Sequence, residues 1–435
     1  MRFLLLLVFL TYPVLAQQPV RGWYDIPPKE YPEFAPRYIK VPKEDNGLTQ
    51  LYEAVESIME IPGIEDEVRT QKYSKKNAEK WLKVVEEKQG AFDKLSKAVL
   101  SKHLQPEEIK DIHDSSGSLI STVKASRLLT WLTKLHLATG NKELFAKHLL
   151  LNHGLSSKLL KTDGSLISYL VSTACYNAHL SEIYLSTSNQ QIDSRDIQTI
   201  EKLFIKDLVI RDSAKRSLNF EFRIAERAFT QIYQGTLSAE FAELDESFVK
   251  RKLKHLILKI VFQPNKSIRI LASHTGLLQK MIDTPAFKRK SLIKQYEVKV
   301  TDKIKRKIDL FSFNQVGRRL LQMMSPIIKK NAISITDQTS LKSSFVRTII
   351  ALKSYHLKYN ELPESLESLT PKFIAELPTD PYSGKALRYN KDLKILWSVG
   401  ADLENENGHD PKLLDKLNPF GGLDDQSDPT VLIPF

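Results

Sequence analysis

The sequence predicts a mainly α-helical protein: a helical-hairpin array or irregular bundle, followed by a small α+β module made of a helix and a three-stranded antiparallel sheet. Three observations lead there. From Asn46 to about Lys330, apolar residues recur at three- and four-residue steps between short Gly/Asn breaks. At LPTDPYSGKALRYN (377–390) the chain changes style to prolines, a glycine and tyrosines, the vocabulary of turns. Short alternating runs then follow, KALRYN, LKILWSVG and the terminal TVLIPF, each the length of a strand.

The elements follow in order. MRFLLLLVFLTYPVLAQQ sets one Arg2 before an apolar run, then Pro13 and the small-residue pattern Val14-Leu15-Ala16. That is the form of a signal peptide occupying 1–16 and cut after Ala16, and the run is too short for the ~20 residues that span a bilayer. The expectation is a periplasmic or extracellular protein with no transmembrane segment in the mature chain. Residues 17–45 carry six prolines (19, 27, 28, 32, 36 and 42), which deny both helix and central strand. Trp23, Tyr24, Tyr31, Phe34 and Tyr38 are interleaved with them, as in an extended arm pinned by its aromatics or a proline-rich ligand.

The helical body spans 46–283. Leu48, Leu51, Val55 and Ile58 form one stripe; Leu119, Val123, Leu128, Leu132 and Leu135 form another. Gly140-Asn141 breaks the second, KELFAKHLLLNHGL resumes as a helix, and Asp163-Gly164 signals the start of an unusually apolar one through Leu166, Ile167, Leu170 and Ala174. Further helices are expected at about 194–211, 213–234, 238–262 and 266–283. Short breaks between long helices favour antiparallel neighbours.

Residues 284–335 form a basic helical connector. Between Gln279 and Lys330 fourteen Lys and Arg face four Asp and Glu, and this excess of ten supplies most of the formal net charge of +12. Lys288, Arg289, Lys290, Lys303, Lys305, Arg306, Lys307, Arg318 and Arg319 are the candidate polyanion-binding residues, the alternative reading being a solvated helix face. Export makes nucleic acid an unsuitable partner. Acidic envelope polymers or lipid head groups suit the charge, and other envelope proteins are the remaining partner class.

Residues 336–435 form the α+β module. A helix ending in ALKSYHLKYN stops before Leu362-Pro363, a short helix follows in PESLESLTPKFIAEL, and the turn DPYSG introduces two strands. In the second strand Ile395, Trp397 and Val399 point one way, and Lys394 and Ser398 the other. This order, "ALKSYHLKYN, LPESLESLTPKFIAELPTDPYSG, LRYN, WSVGAD", resembles the globular region of the type II secretion major pseudopilin over roughly Ser343 to Phe435. The pseudopilin's N-terminal hydrophobic helix is replaced here by KRKIDLFSFNQVGRRLLQMMSPIIKK, so polymerisation in the manner of a pilin is not implied. The whole chain is similar to uncharacterised exported bacterial helical proteins with such a C-terminal module. The pseudopilin resemblance implies calcium in the terminal loop, where Asp402, Glu404, Asn407, Asp424, Asp425 and Asp428 are the candidate ligands. Leu403 departs from the family's loop, PKLLDKLNPFGG is inserted, and a solvated acidic loop is the competing reading.

No catalytic constellation emerges. His113-Asp114-Ser115 unites three catalytic residue types, but adjacent residues do not converge on one reacting atom. HExxH, Walker A and GxGxxG patterns are lacking. Ten histidines are dispersed, and the single Cys175 sits in an apolar helical context that suits an inert thiol. The expected function is that of an exported non-enzymatic structural or interaction protein, linked by resemblance to a secretion or pseudopilus-like envelope assembly. Binding of an envelope polyanion through 288–319 is the alternative, and an envelope hydrolase comes third.

Overall fold

A computed structural model describes residues 31–34, 41–70, 74–106, 117–189, 192–234, 263–297, 315–409, 414, 420 and 428–435. Among them are twelve α-helices and one three-stranded antiparallel sheet. The chain is mainly α with a small α+β unit at its C-terminal end. Helices α1 (Leu48–Met59), α2 (Ile64–Thr70), α3 (Lys75–Glu87) and α4 (Gln89–Leu100) precede the long hairpin of α5 (Gly117–Thr139) and α6 (Lys142–Lys161). Helices α7 (Leu166–Thr187), α8 (Ser194–Ile200), α9 (Asp207–Gln234), α10 (Pro264–Asp283) and α11 (Lys290–Tyr296) follow. Helix α12 (Gln315–Tyr359) has 45 residues and is about 68 Å long.

Local chemistry explains where these helices begin and end. The Asn141 side chain accepts from Leu144 N–H at 3.1 Å to start α6. Asp193 and Asp196 form a reciprocal capping box at α8. Helix α7 begins one step later than Asp163-Gly164 suggested, because Ser165 is the cap. Asp163 instead meets the Arg216 guanidinium at 2.8 Å. The break expected near residue 212 falls at 201–206, and 207–234 is a single helix. Asn360, with φ of 58°, closes α12 in the left-handed conformation and donates its N–H to His356 O at 2.7 Å.

Two apolar cores lie side by side. The first unites α1–α4 with Leu128, Leu132 and Leu135 of α5, Leu151 and Leu155 of α6, and Cys175 of α7. The second takes Phe145 and Leu149 from α6 and Tyr176, Leu180 and Ile183 from α7. It continues through Phe222 and Leu278 to Phe345, Ile349 and Leu352 of α12 and to Leu396 and Val431 of the sheet. Helices α6 and α7 therefore separate the two cores and bury opposite faces, which is why α7 reads as apolar nearly all round.

The sheet has the order β1 (Arg388–Asn390), β2 (Ile395–Trp397), β3 (Thr430–Leu432), with Tyr389 opposite Leu396 and Leu396 opposite Val431. Both faces of β2 are covered: Ile395, Leu396 and Trp397 are all buried, and Ser398 is fully enclosed, donating to Asp380 Oδ1 at 2.8 Å. A central strand covered on both faces has no solvent side for a polar residue to occupy.

The α+β unit is joined to the helices. Helix α12 runs uninterrupted through residue 335, the expected module boundary, so connector and module share one rod. Tyr184 Oη of α7 donates to Leu432 O at 2.8 Å, and Ala286 N–H donates to Pro381 O at 3.2 Å. At the other end of the chain, Tyr31 and Phe34 pack on Phe222, and Arg223 donates to both of their carbonyls. This four-residue piece of the leader is pinned by its aromatics.

Candidate functional site

The terminal loop is organised by two buried carboxylates. Asp380, in the DPYSG turn, accepts from Tyr382 N–H, Ser383 Oγ, Ser398 Oγ and Val399 N–H. It thus ties the turn to the end of β2. Asp428, fully buried, accepts through Oδ2 from Glu406 N–H at 2.8 Å and Gly408 N–H at 2.9 Å. Thr430 Oγ1 accepts from His409 N–H, and Asn405 Oδ1 accepts from Trp397 Nε1, which fastens loop 400–409 to the sheet.

These contacts bear on calcium. Asp428 Oδ1 is buried without a hydrogen-bond partner, the one feature that suits a cation. Its other oxygen is already committed to backbone donors, and Asp402, Glu404 and Asn407 lie exposed. Asp402 Oδ1 accepts from Glu404 N–H, a local turn contact. Among the described residues no three His, Cys, Asp or Glu side chains are placed to hold one metal ion. The described part of the loop does not fit the six to eight oxygens calcium prefers. Asp424 and Asp425 lie outside the described residues.

The basic connector divides differently from its sequence. Lys288 and Lys290 are exposed, but Arg289 between them turns inward and is buried. Its Nη2 meets Asp337 Oδ1 at 2.8 Å, its Nη1 meets Oδ2, and its Nε donates to Met281 O and Thr284 O. A buried guanidinium with each of its three nitrogens hydrogen-bonded is not presented to a polymer, so Arg289 leaves the candidate set. Burial pushes the Asp337 carboxyl up, while the Arg289 hydrogen bond opposes that rise. Lys303, Lys305, Arg306 and Lys307 lie outside the described residues, as do the side chains of Arg318 and Arg319. His113-Asp114-Ser115 lies outside them too.

What the sequence did not reveal is a buried polar cluster where α5, α6 and α7 meet. The Asn152 amide donates to Thr130 Oγ1 at 3.0 Å and to Glu182 Oε2 at 2.9 Å, and its carbonyl accepts from Ser126 Oγ. His179 Nδ1 stands 3.6 Å from Glu182 Oε2. The rings of His153 and His179 lie 5.6 Å apart, and His136 stacks on His148 at 5.0 Å. Burial holds His136, His148 and His153 down to about 4, each near a second cation or ring that adds to the effect. The imidazoles of His136, His148 and His153 are therefore neutral near pH 7. The available signal was His179 and Glu182 at i, i+3 on an otherwise apolar helix. The facing partners come from two other helices, which spacing does not reveal.

Cys175 is buried in the first core, and burial pushes its thiol up to about 12, far from the thiolate a nucleophile requires. Around the fold lie several clefts, among them an open one of about 780 Å³ along α3 beside Asn77, Lys80 and Lys83. A nearly closed one of about 30 Å³ lies beside Tyr52, Leu119 and Ser168. An open groove of about 320 Å³ runs between α12 and the 371–375 loop. No protein-family model, curated protein or solved structure matches this chain.

Proposed function

We propose that the chain is an exported, non-enzymatic structural or interaction protein, acting in the periplasm or outside the cell after cleavage following Ala16. Its C-terminal unit, pseudopilin-like in sequence, would be presented to other envelope proteins as one face of a rigid helical body. The observation that carries this reading is the fate of the chemistry-bearing side chains. Asp337 and Arg289 neutralise each other, Asp380 serves four donors, Asp428 binds backbone amides, and Cys175 lies within the first core. Groups committed to packing and hydrogen bonding support architecture rather than turnover. A link to a secretion or pseudopilus-like assembly rests on the resemblance of residues 343–435 alone.

The test is cross-linking of the full-length protein in the envelope, followed by identification of the proteins joined to it. A comparison chain carries Asp402→Ala, Glu404→Ala and Asn407→Ala, three exposed positions on the loop. A partner captured by the parent and lost from the triple variant supports the reading. Hydrolysis of purified envelope polymer by the protein would overturn it.

A further inference from the structure

The open groove beside α12 has a distinctive lining. Arg347, Ile350 and Ala351 supply one wall, Pro371 to Ala375 the other, with Glu201 and Phe204 at its side. Arg347 is half-buried, and among the described residues it makes no hydrogen bond or ion pair. That is unusual for a guanidinium with five donors, which normally finds a carboxylate or carbonyl when withdrawn from water. At the rim, Lys372 donates to Tyr359 Oη at 2.7 Å, which sets its ammonium 5.3 Å from the Tyr359 ring centre at the hydroxyl edge and 5.7 Å from the ring centre of Phe373. Lys358 lies 5.6 Å above the same Tyr359 ring. Tyr355, Tyr359 and Phe373 pack with ring centroids 4.6 to 5.9 Å apart, and the two ammonium groups lie beside this aromatic cluster.

The groove and its rim thus carry an array of three cations, one recessed and two raised. Lys358 and Lys372 have no carboxylate partner among the described residues. Glu201 is the opposing charge in the lining. Its carboxyl is pushed up by burial, with the Ser354 hydroxyl acting against that.

We propose that this array, Arg347 with Lys372 and Lys358, is a binding site for an acidic polysaccharide, whose carboxylates it would receive in succession along the groove. Three features select that occupant. A groove of about 320 Å³ admits a slender chain. A flat bilayer surface would reach the two lysines but not the recessed Arg347. The export proposed above, on which this choice rests, sets nucleic acid aside. Recognition by fixed cations of a flexible chain of carboxylates remains, with the guanidinium as the fork that reads one of them in bidentate fashion. None of its three cations belongs to the 288–319 stretch.

The experiment is a binding titration of the full-length protein with alginate oligomers, beside single-stranded oligothymidylate and vesicles of phosphatidylglycerol. Saturable alginate binding that weakens as salt is raised is the expected result. Arg347→Gln should weaken it at least about tenfold, as expected for loss of a charge-assisted pair, and Lys372→Gln should weaken it several-fold. Lys83→Gln, an equal charge loss on α3, should leave it unchanged. Circular dichroism of each variant reports folding, and Lys372→Gln, at an exposed residue, keeps the test open should Arg347→Gln misfold. Preference for oligothymidylate or for vesicles over alginate would overturn the proposal, as would alginate binding that none of the groove variants alters.

Discussion

The Phe287 ring occupies the space that a β-carbon on Gly384 would need, and Gly384 itself has φ of 69°. Phe287 belongs to the helical side and Gly384 to the DPYSG turn, so the contact joins the α+β unit to the body. The glycine is required twice over, for its backbone angle and for the ring above it. Gly384→Ala should destabilise the protein by about 2–4 kcal/mol, through left-handed strain and overpacking together. Removing the ring as well, in Phe287→Ala/Gly384→Ala, should relieve the steric part and leave the backbone part. Urea midpoints of the parent, the two single variants and the double variant separate the terms.

Arg289 and Asp337 make a second joint, deep between α11 and α12. Asp337→Ala should cost about 3–5 kcal/mol, because it strands a buried guanidinium. Replacing both partners with apolar residues, as in Arg289→Met/Asp337→Leu, should recover much of that loss. Equilibrium denaturation of the three chains checks the prediction. A double variant no more stable than Asp337→Ala would refute it.

Acid should loosen the α5–α7 region first. His136, His148 and His153 are held near 4 in the fold, below the value of 6.5 they have when unfolded. The unfolded chain therefore binds more protons between those limits, so stability falls as pH drops from about 6.5 to about 4 and flattens below. Their mutual repulsion adds to the slope, which approaches but does not reach three protons. His148→Gln should reduce the slope by about one proton, read from denaturation midpoints across that interval.

The Asp428 latch should be indifferent to calcium. Asp428→Ala removes the acceptor of two backbone donors in loop 400–409 and should cost about 2 kcal/mol. Thermal melts of the parent with excess calcium and with chelator should coincide within about 1 °C, which corresponds to a small fraction of a kcal/mol. A calcium-dependent rise of several degrees would show that residues beyond those described complete a site.

Much of the architecture was legible in local pattern. The stripes of Leu48, Leu51, Val55 and Ile58, the Asn141 cap, the stop after Tyr359 and the three short strands each follow from residues within one or two turns of one another. Such features depend on backbone geometry and side-chain periodicity, which a linear chain displays directly. What tertiary structure alone decided were relationships between distant residues. Arg289 reads as one more surface cation until Asp337, forty-eight positions later, is found to enclose it. His179 reads as an isolated histidine until Asn152 and His153 arrive from the facing helix. Ser398 reads as one polar position of a strand until Asp380, eighteen positions earlier, is found to accept from its hydroxyl. Charge and exposure belong to neighbours in space, and the chain's order does not name them.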